Sequence, residues 1–200
     1  AVYDQRESAN LTGEQLQLLQ DIYNGFARGG ANLQGEQKEK YRELSQKLSL
    51  LTLQFSENCL KETNDYLKVI TDSTLLSGLP ESAITAAKET AQEKGVEGWA
   101  FTLHAPSYVP VMTYADNRDL RKEIYMAYNT QCTHDNEHNN LDVVKELANT
   151  RMEVAQLLGY KDYASYMLED RMAQNSEAVY NLLNQLLDAY TPTAKKEFRS

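Results

Sequence analysis

Two of the chain's three histidines stand four residues apart in Cys132-Thr-His-Asp-Asn-Glu-His-Asn-Asn140, with Glu137 directly before the second. The order His134-x-x-Glu137-His138 is one in which metal-dependent hydrolases set two imidazole ligands and a carboxylate. That chemistry needs both imidazoles on one rigid helical face and a third ligand from a neighbouring element. The flanks argue against such a helix. From Gln131 to Asn140 there is no Leu, Ile, Val, Met or aromatic residue, so a helix here would have nothing to pack. Its Asn, Asp and Thr side chains compete for backbone hydrogen bonds and favour turns. The stretch is expected to be a polar loop between helices with exposed histidines. No metal ligand is assigned to it, and Cys132 adds at most an adventitious donor.

The other candidates carry less. His104, in "TLHAP", stands alone at the end of an expected strand, with no nucleophile–base pair to build around it. Gly29-Gly30 lies between two helical patterns and lacks the spacing of a phosphate loop. Among thirteen tyrosines, Tyr160, Tyr163 and Tyr166 cluster, and Tyr108 lies between Pro106 and Pro110. Tyrosine packs its ring and keeps its hydroxyl at a wet boundary, so core-edge packing is the expected role, and lining a groove the alternative. No catalytic or metal residue is assigned, and substrate-binding residues are left open.

Composition bounds the partners. Hydrophobic residues make up 42% and charged residues 24%, with a net charge of −9. A phosphate backbone requires clustered Lys and Arg, so no nucleic-acid partner is expected. No apolar run approaches the roughly 18 residues of a membrane span, so no membrane partner is expected either. Cys59 and Cys132 are too few for a disulfide framework.

Helical periodicity dominates the 200 residues. Thr12 and Gln15 form a capping box ahead of an apolar stripe of Leu16, Leu19, Ile22, Tyr23 and Phe26, closed by Gly29-Gly30. A long helix is expected from about Gly35 to Asn64, with Tyr41, Leu44, Leu48, Leu51 and Phe55 as a narrow seam. This seam is read as core. "DYLKVITD" (65–72) and "GWAFTLHA" (98–105) read as two short strands paired antiparallel, around a helix that Pro80 opens and Gly95 closes. Pro106 and Pro110 are expected to break "APSYVPVMTYA", after which helices follow at 117–131, 139–159, 160–173 and 176–190. "AVYDQRE" reads as the tail of a helix, and a new helix is expected to start after Pro192. The fold class is mainly α: a multi-helix body with one long helix and a small two-stranded antiparallel sheet, in one continuous body.

The order of four segments adds a resemblance. "LSLLTLQFSENCL" (48–60), "LLSGLPES" (75–82), "APSYVPVMTYADNRDLRKEIYMAYNT" (105–130) and "RMEVAQLLGYKDYASYMLEDRMA" (151–173) closely resemble the thimet oligopeptidase family, and most of all its oligopeptidase A and peptidyl-dipeptidase branch. The resemblance is collinear over nearly the whole chain. It implies a zinc metallopeptidase that hydrolyses short unfolded peptides in a deep channel between two mostly helical lobes. The family holds its zinc by H-E-x-x-H on one helix and a Glu from the next, in the C-terminal half of its chain. This sequence contains no H-E-x-x-H. The resemblance therefore makes residues 1–200 an N-terminal-half fragment, a channel wall without the catalytic zinc lobe, and no family catalytic residue transfers to a position here. Zinc is implied for the full-length protein and none for the fragment, which is expected to be inactive alone. Surface left by the missing lobe is expected to let fragments dimerise. A stand-alone helical module that binds peptides or proteins is the second reading. Endopeptidase action versus C-terminal dipeptide release stays open, as does a cytoplasmic or periplasmic location.

Overall fold

Thr12 sets the first helix in motion as its sequence requires. The Thr12 amide donates to Gln15 Oε1 at 3.0 Å and the Gln15 amide to Thr12 Oγ1 at 3.4 Å, opening α1 (Gly13–Arg28). The computed structural model describes residues 2–199. After α1 come α2 (Gly35–Asp65), β1 (Lys68–Ile70), α3 (Glu81–Glu93) and β2 (Trp99–Phe101). Then follow α4 (Ala105–Tyr114), α5 (Arg118–Asn129), α6 (Leu141–Leu157), α7 (Tyr163–Leu168) and α8 (Ser176–Arg199). The fold is mainly α, with α2 the long helix at 31 residues and a single antiparallel strand pair among the described residues.

The strands are shorter than their β-branched patterns suggest. Lys68 pairs with Phe101, Val69 with Ala100 and Ile70 with Trp99. At one end α2 runs on to Asp65. At the other, the Thr102 amide donates to Ser107 Oγ at 2.9 Å, so the chain leaves the sheet and His104 becomes the residue that caps α4. Its imidazole is exposed and caps nothing.

Three local expectations fail. "APSYVPVMTY" is a ten-residue helix, not a broken segment. Pro106 sits in its first turn, where the missing amide costs no bond. Val111 is fully buried, and Tyr108 and Met112 pack on the same core, which holds the helix together across Pro110. Pro192 does not start a new helix. It lies inside α8, where the Thr191 hydroxyl donates to the Leu187 carbonyl at 2.5 Å. The N-terminal stretch is a 3-10 turn at Tyr3–Gln5, not a helix tail. The Tyr3 ring stacks on Tyr23 at 3.7 Å and its hydroxyl donates to Gln20 at 2.7 Å.

The chain divides into two compact units, Ala1–Ser49 with Ala148–Ser200, and Leu50–Leu147. No linker in the sequence marks this division, because it passes through α2 and α6. The second unit is built on Ile70, Leu76, Leu79, Ala87, Phe101, Leu103, Val111, Ala115, Leu120 and Ile124. These bring the sheet, α3, α4 and α5 onto one core. In the first unit, Arg28 at the end of α1 pairs with Glu169, donates to the Tyr166 carbonyl at 2.7 Å and lies 4.6 Å over the Tyr166 ring. Tyr166 Oη returns a bond to the Arg28 carbonyl at 3.2 Å, and the Tyr160 hydroxyl donates to Glu169. Burial first, and Glu169 next, push the Tyr160 phenol above its usual range. The Tyr160–Tyr163–Tyr166 cluster is thus a tie between α7 and α1, in keeping with the packing role its sequence suggested.

Candidate functional site

The connection between α5 and α6 is a loop, for the reasons its composition gives. Its polar groups bond to its own backbone: Asn136 Oδ1 accepts from the His138 amide, Asn139 Oδ1 from the Leu141 amide, and the Thr133 hydroxyl donates to the Thr130 carbonyl. The Asn140 amide donates to the Cys132 carbonyl at 2.8 Å, closing the loop on itself.

The loop is fastened along α2 by groups that the apolar pattern did not single out. Glu62 Oε2 accepts from the Cys132 amide at 2.5 Å, and Gln131 Nε2 donates to Thr63 Oγ1 at 2.7 Å. Asn58 Nδ2 donates to Asn140 Oδ1 at 2.9 Å, and Asn140 Nδ2 donates to the Phe55 carbonyl at 3.1 Å. Both asparagines are buried. The signal that could have found them is spacing. Asn58, Glu62 and Asp65 continue the 41–44–48–51–55 seam in steps of three and four, with polar side chains in place of apolar ones.

This fastening places the histidines. His134 Nε2 lies 3.8 Å from Glu62 Oε1, and His138 Nε2 lies 3.5 Å from Asp65 Oδ2 and 3.8 Å from Glu137 Oε1. His134 is exposed as expected, but His138 is not: its side chain is only 15% exposed, because Asp65 and the loop enclose it. The histidines line a cavity of about 720 Å³ together with Tyr66, Leu103, Met126 and Ala127. The Tyr66 hydroxyl is buried without a hydrogen-bond partner among the described residues. Burial, then the Glu123 carboxylate, push this phenol above its usual range, so it stays a neutral donor.

The chemistry open to this rim is limited. Glu62, Asp65 and Glu137 favour a cationic or donor group, but Glu62 is already committed to the loop backbone. The two histidines point at different acids and do not converge. Among the described residues no three His, Cys, Asp or Glu side chains form a group that could hold a metal ion. The donor set therefore does not fit a zinc ion. His104 lies apart at the start of α4 and lines a different, smaller cavity with Pro106 and Ser107.

Comparison with known proteins places the sequence in a family. The family model described as peptidase family M3 matches residues 111–200, which includes α5, the loop and α6. Oligopeptidase A of Haemophilus influenzae is 36% identical over 203 residues, covering 100% of this chain and 30% of that protein. The chain belongs to peptidase family M3. Oligopeptidase A of Escherichia coli (strain K12) is 38% identical over 94% of this chain and 28% of its own length. Dipeptidyl carboxypeptidase of the same bacterium is 29% identical over 100% of this chain and 30% of its own length. The chain thus spans about 30% of the length of the M3 relatives it matches. Residues 1–110 lie outside the family-model match, and their likeness to M3 sequences rests on these relatives.

Proposed function

We propose that this chain is the N-terminal-half portion of a zinc-dependent M3 peptidase that hydrolyses short peptides in a channel, and that residues 1–200 form part of the channel wall. The collinear likeness to oligopeptidase A over the whole chain carries the reading. The relatives are about three times longer, which leaves room for a separate zinc centre. Among the described residues around the His134–His138 loop, Glu62 accepts from the Cys132 amide, and Asp65 and Glu137 lie beside His138, which supports a catalytic centre elsewhere in the longer protein. Peptide hydrolysis near neutral pH needs an activated nucleophile, by metal or by a positioned base. The 200-residue chain, incubated with a quenched fluorescent peptide and zinc, is expected to give no chelator-sensitive cleavage. Turnover at an enzymatic rate, lost on chelation, would place a complete active site within these residues and overturn the proposal.

Exposed apolar surface supports the same reading. Leu16, Ile22 and Phe26 on α1, and Leu183, Leu187 and Tyr190 on α8, face outward. Contiguous apolar surface beyond a few hundred Å² is rare on a soluble monomer, and further M3 sequence is the occupant these faces await. The isolated chain is expected to self-associate reversibly at micromolar concentration in sedimentation velocity, and Phe26→Glu with Leu187→Glu to return it to monomer. A wild-type chain that stays monomeric at high concentration would favour the stand-alone binding-module reading instead.

A further inference from the structure

The two thiols of the chain meet, although 73 residues separate them in sequence. Cys59 sits on α2, and Cys132 follows α5 at the root of the loop. Cys132 Sγ directs its weak donor at Cys59 Sγ across 3.8 Å, and Asn140 Nδ2 approaches Cys59 Sγ at 3.5 Å. Cys132 is buried, whereas Cys59 is half-exposed. Both line a cavity of about 190 Å³ with Phe55, Asn140 and Val144.

We propose that Cys59 and Cys132 form a reversible disulfide that staples the 130–140 loop to α2, with a low-molecular-weight disulfide such as oxidised glutathione as the oxidant. Cys59, the more exposed of the two residues, reacts first. Its thiolate attacks one sulfur of oxidised glutathione, a Cys59–glutathione bond forms, and one glutathione thiolate leaves. Cys132 then loses its proton and attacks Cys59 Sγ, forming the Cys59–Cys132 bond and expelling the second glutathione. The two protein thiols are oxidised by two electrons, glutathione disulfide is reduced, and the two cysteine protons end on the two glutathiones. The sulfurs must close from 3.8 Å to about 2.0 Å, a shift on the scale of side-chain rotation. Holding the resolving thiol this near makes the second step intramolecular and raises its effective concentration. Burial first, then Glu62 and Cys59, push Cys132 up to about 12. Cys132 is therefore not the initial nucleophile and gives up its proton only as it attacks the mixed disulfide held beside it.

The test uses the reduced, folded 200-residue chain, incubated with oxidised glutathione, quenched in acid and alkylated in denaturant. The intact mass is expected to show both thiols lost to alkylation with no glutathione retained. Digestion should yield a dithiothreitol-sensitive link between the Cys59 and Cys132 peptides. Cys132→Ser is expected to trap glutathione on Cys59, and Cys59→Ser to leave Cys132 unmodified. Across a series of glutathione ratios, the folded chain should keep the bond at a ratio at least tenfold more reducing than the same chain unfolded in urea. Glutathione persisting on wild-type Cys59, a disulfide-linked dimer, unreacted thiols, or coincident folded and unfolded titrations would each overturn the proposal.

Discussion

Gly98→Ala is expected to destabilise the second unit by about 3–5 kcal/mol, at the upper end of what point mutations do. Two costs add. The residue holds φ at +99°, a region L side chains rarely adopt. A Cβ there would also lie 2.2 Å from the Ile70 carbonyl oxygen and 3.0 Å from its carbon. Those are backbone atoms of β1, and Ile70 is the residue paired with Trp99. The clash therefore cannot be relieved by a side-chain rotation. It must part the strands, and with them Ile70 and Phe101, each 2% exposed in the core. Gly95, three residues earlier at the end of α3, is the control. It too has positive φ, at +67°, but nothing lies within 4 Å of a Cβ built there. Gly95→Ala should cost only about 1–2 kcal/mol, the strain of the left-handed backbone alone. Trp99 is the single tryptophan and stands on β2, so urea unfolding followed by its fluorescence reads both variants. If Gly98→Ala unfolds at the same urea concentration as Gly95→Ala, the close approach of the two strands is not as described.

The same residues show what was legible in advance. The capping box, the glycine stops and the alternation of Trp99, Phe101 and Leu103 encode local geometry, and they gave the helices, the sheet and its antiparallel sense. The composition of 131–140 gave a loop, because side chains that bond their own backbone are a local matter too. What failed was decided at a distance. Pro110 read as a breaker, yet the buried Val111 beside it outweighs the loss of one hydrogen bond. His138 read as exposed because its contact with Asp65, far back along the chain, cannot be read from the loop alone. The pairing of Cys59 with Cys132, and of Asn58 with Asn140, depends on two segments meeting, which no periodicity of either one reports. Family M3 membership was legible from four collinear segments, and that is a resemblance between sequences, not a derivation of fold.

The seam of α2 is where the local pattern and the tertiary structure agree best, and it carries the remaining large effect. Leu44 and Leu51 are 5% and 8% exposed, Tyr41 and Leu48 are half-buried, and Phe55 has 37% of its surface open. Leu44→Ala and Leu51→Ala should therefore each cost about 2–5 kcal/mol, the range for truncating a buried leucine. Leu48→Ala should fall near the bottom of that range, and exposed Leu50→Ala, one position off the seam, should cost about 0.5 kcal/mol or less. The gradient matters more than any one value. A core seam gives large losses at 44 and 51, an intermediate one at 48 and almost none at 50. A seam made to meet a partner would leave Leu48→Ala and Leu44→Ala with the melting midpoint of the parent chain. Past Phe55 the same helical face turns polar and grips the loop through Asn58 and Glu62, so its contribution changes in kind. Truncating Asn58 removes a buried bond and leaves Asn140 Oδ1 without that donor, a cost of about 1–3 kcal/mol with no cavity in an apolar core. Melts of the Leu44, Leu48, Leu50 and Leu51 alanine variants, run beside the parent chain, separate the two accounts: an unchanged midpoint at Leu44 would make the seam an interface and give the binding-module reading the advantage.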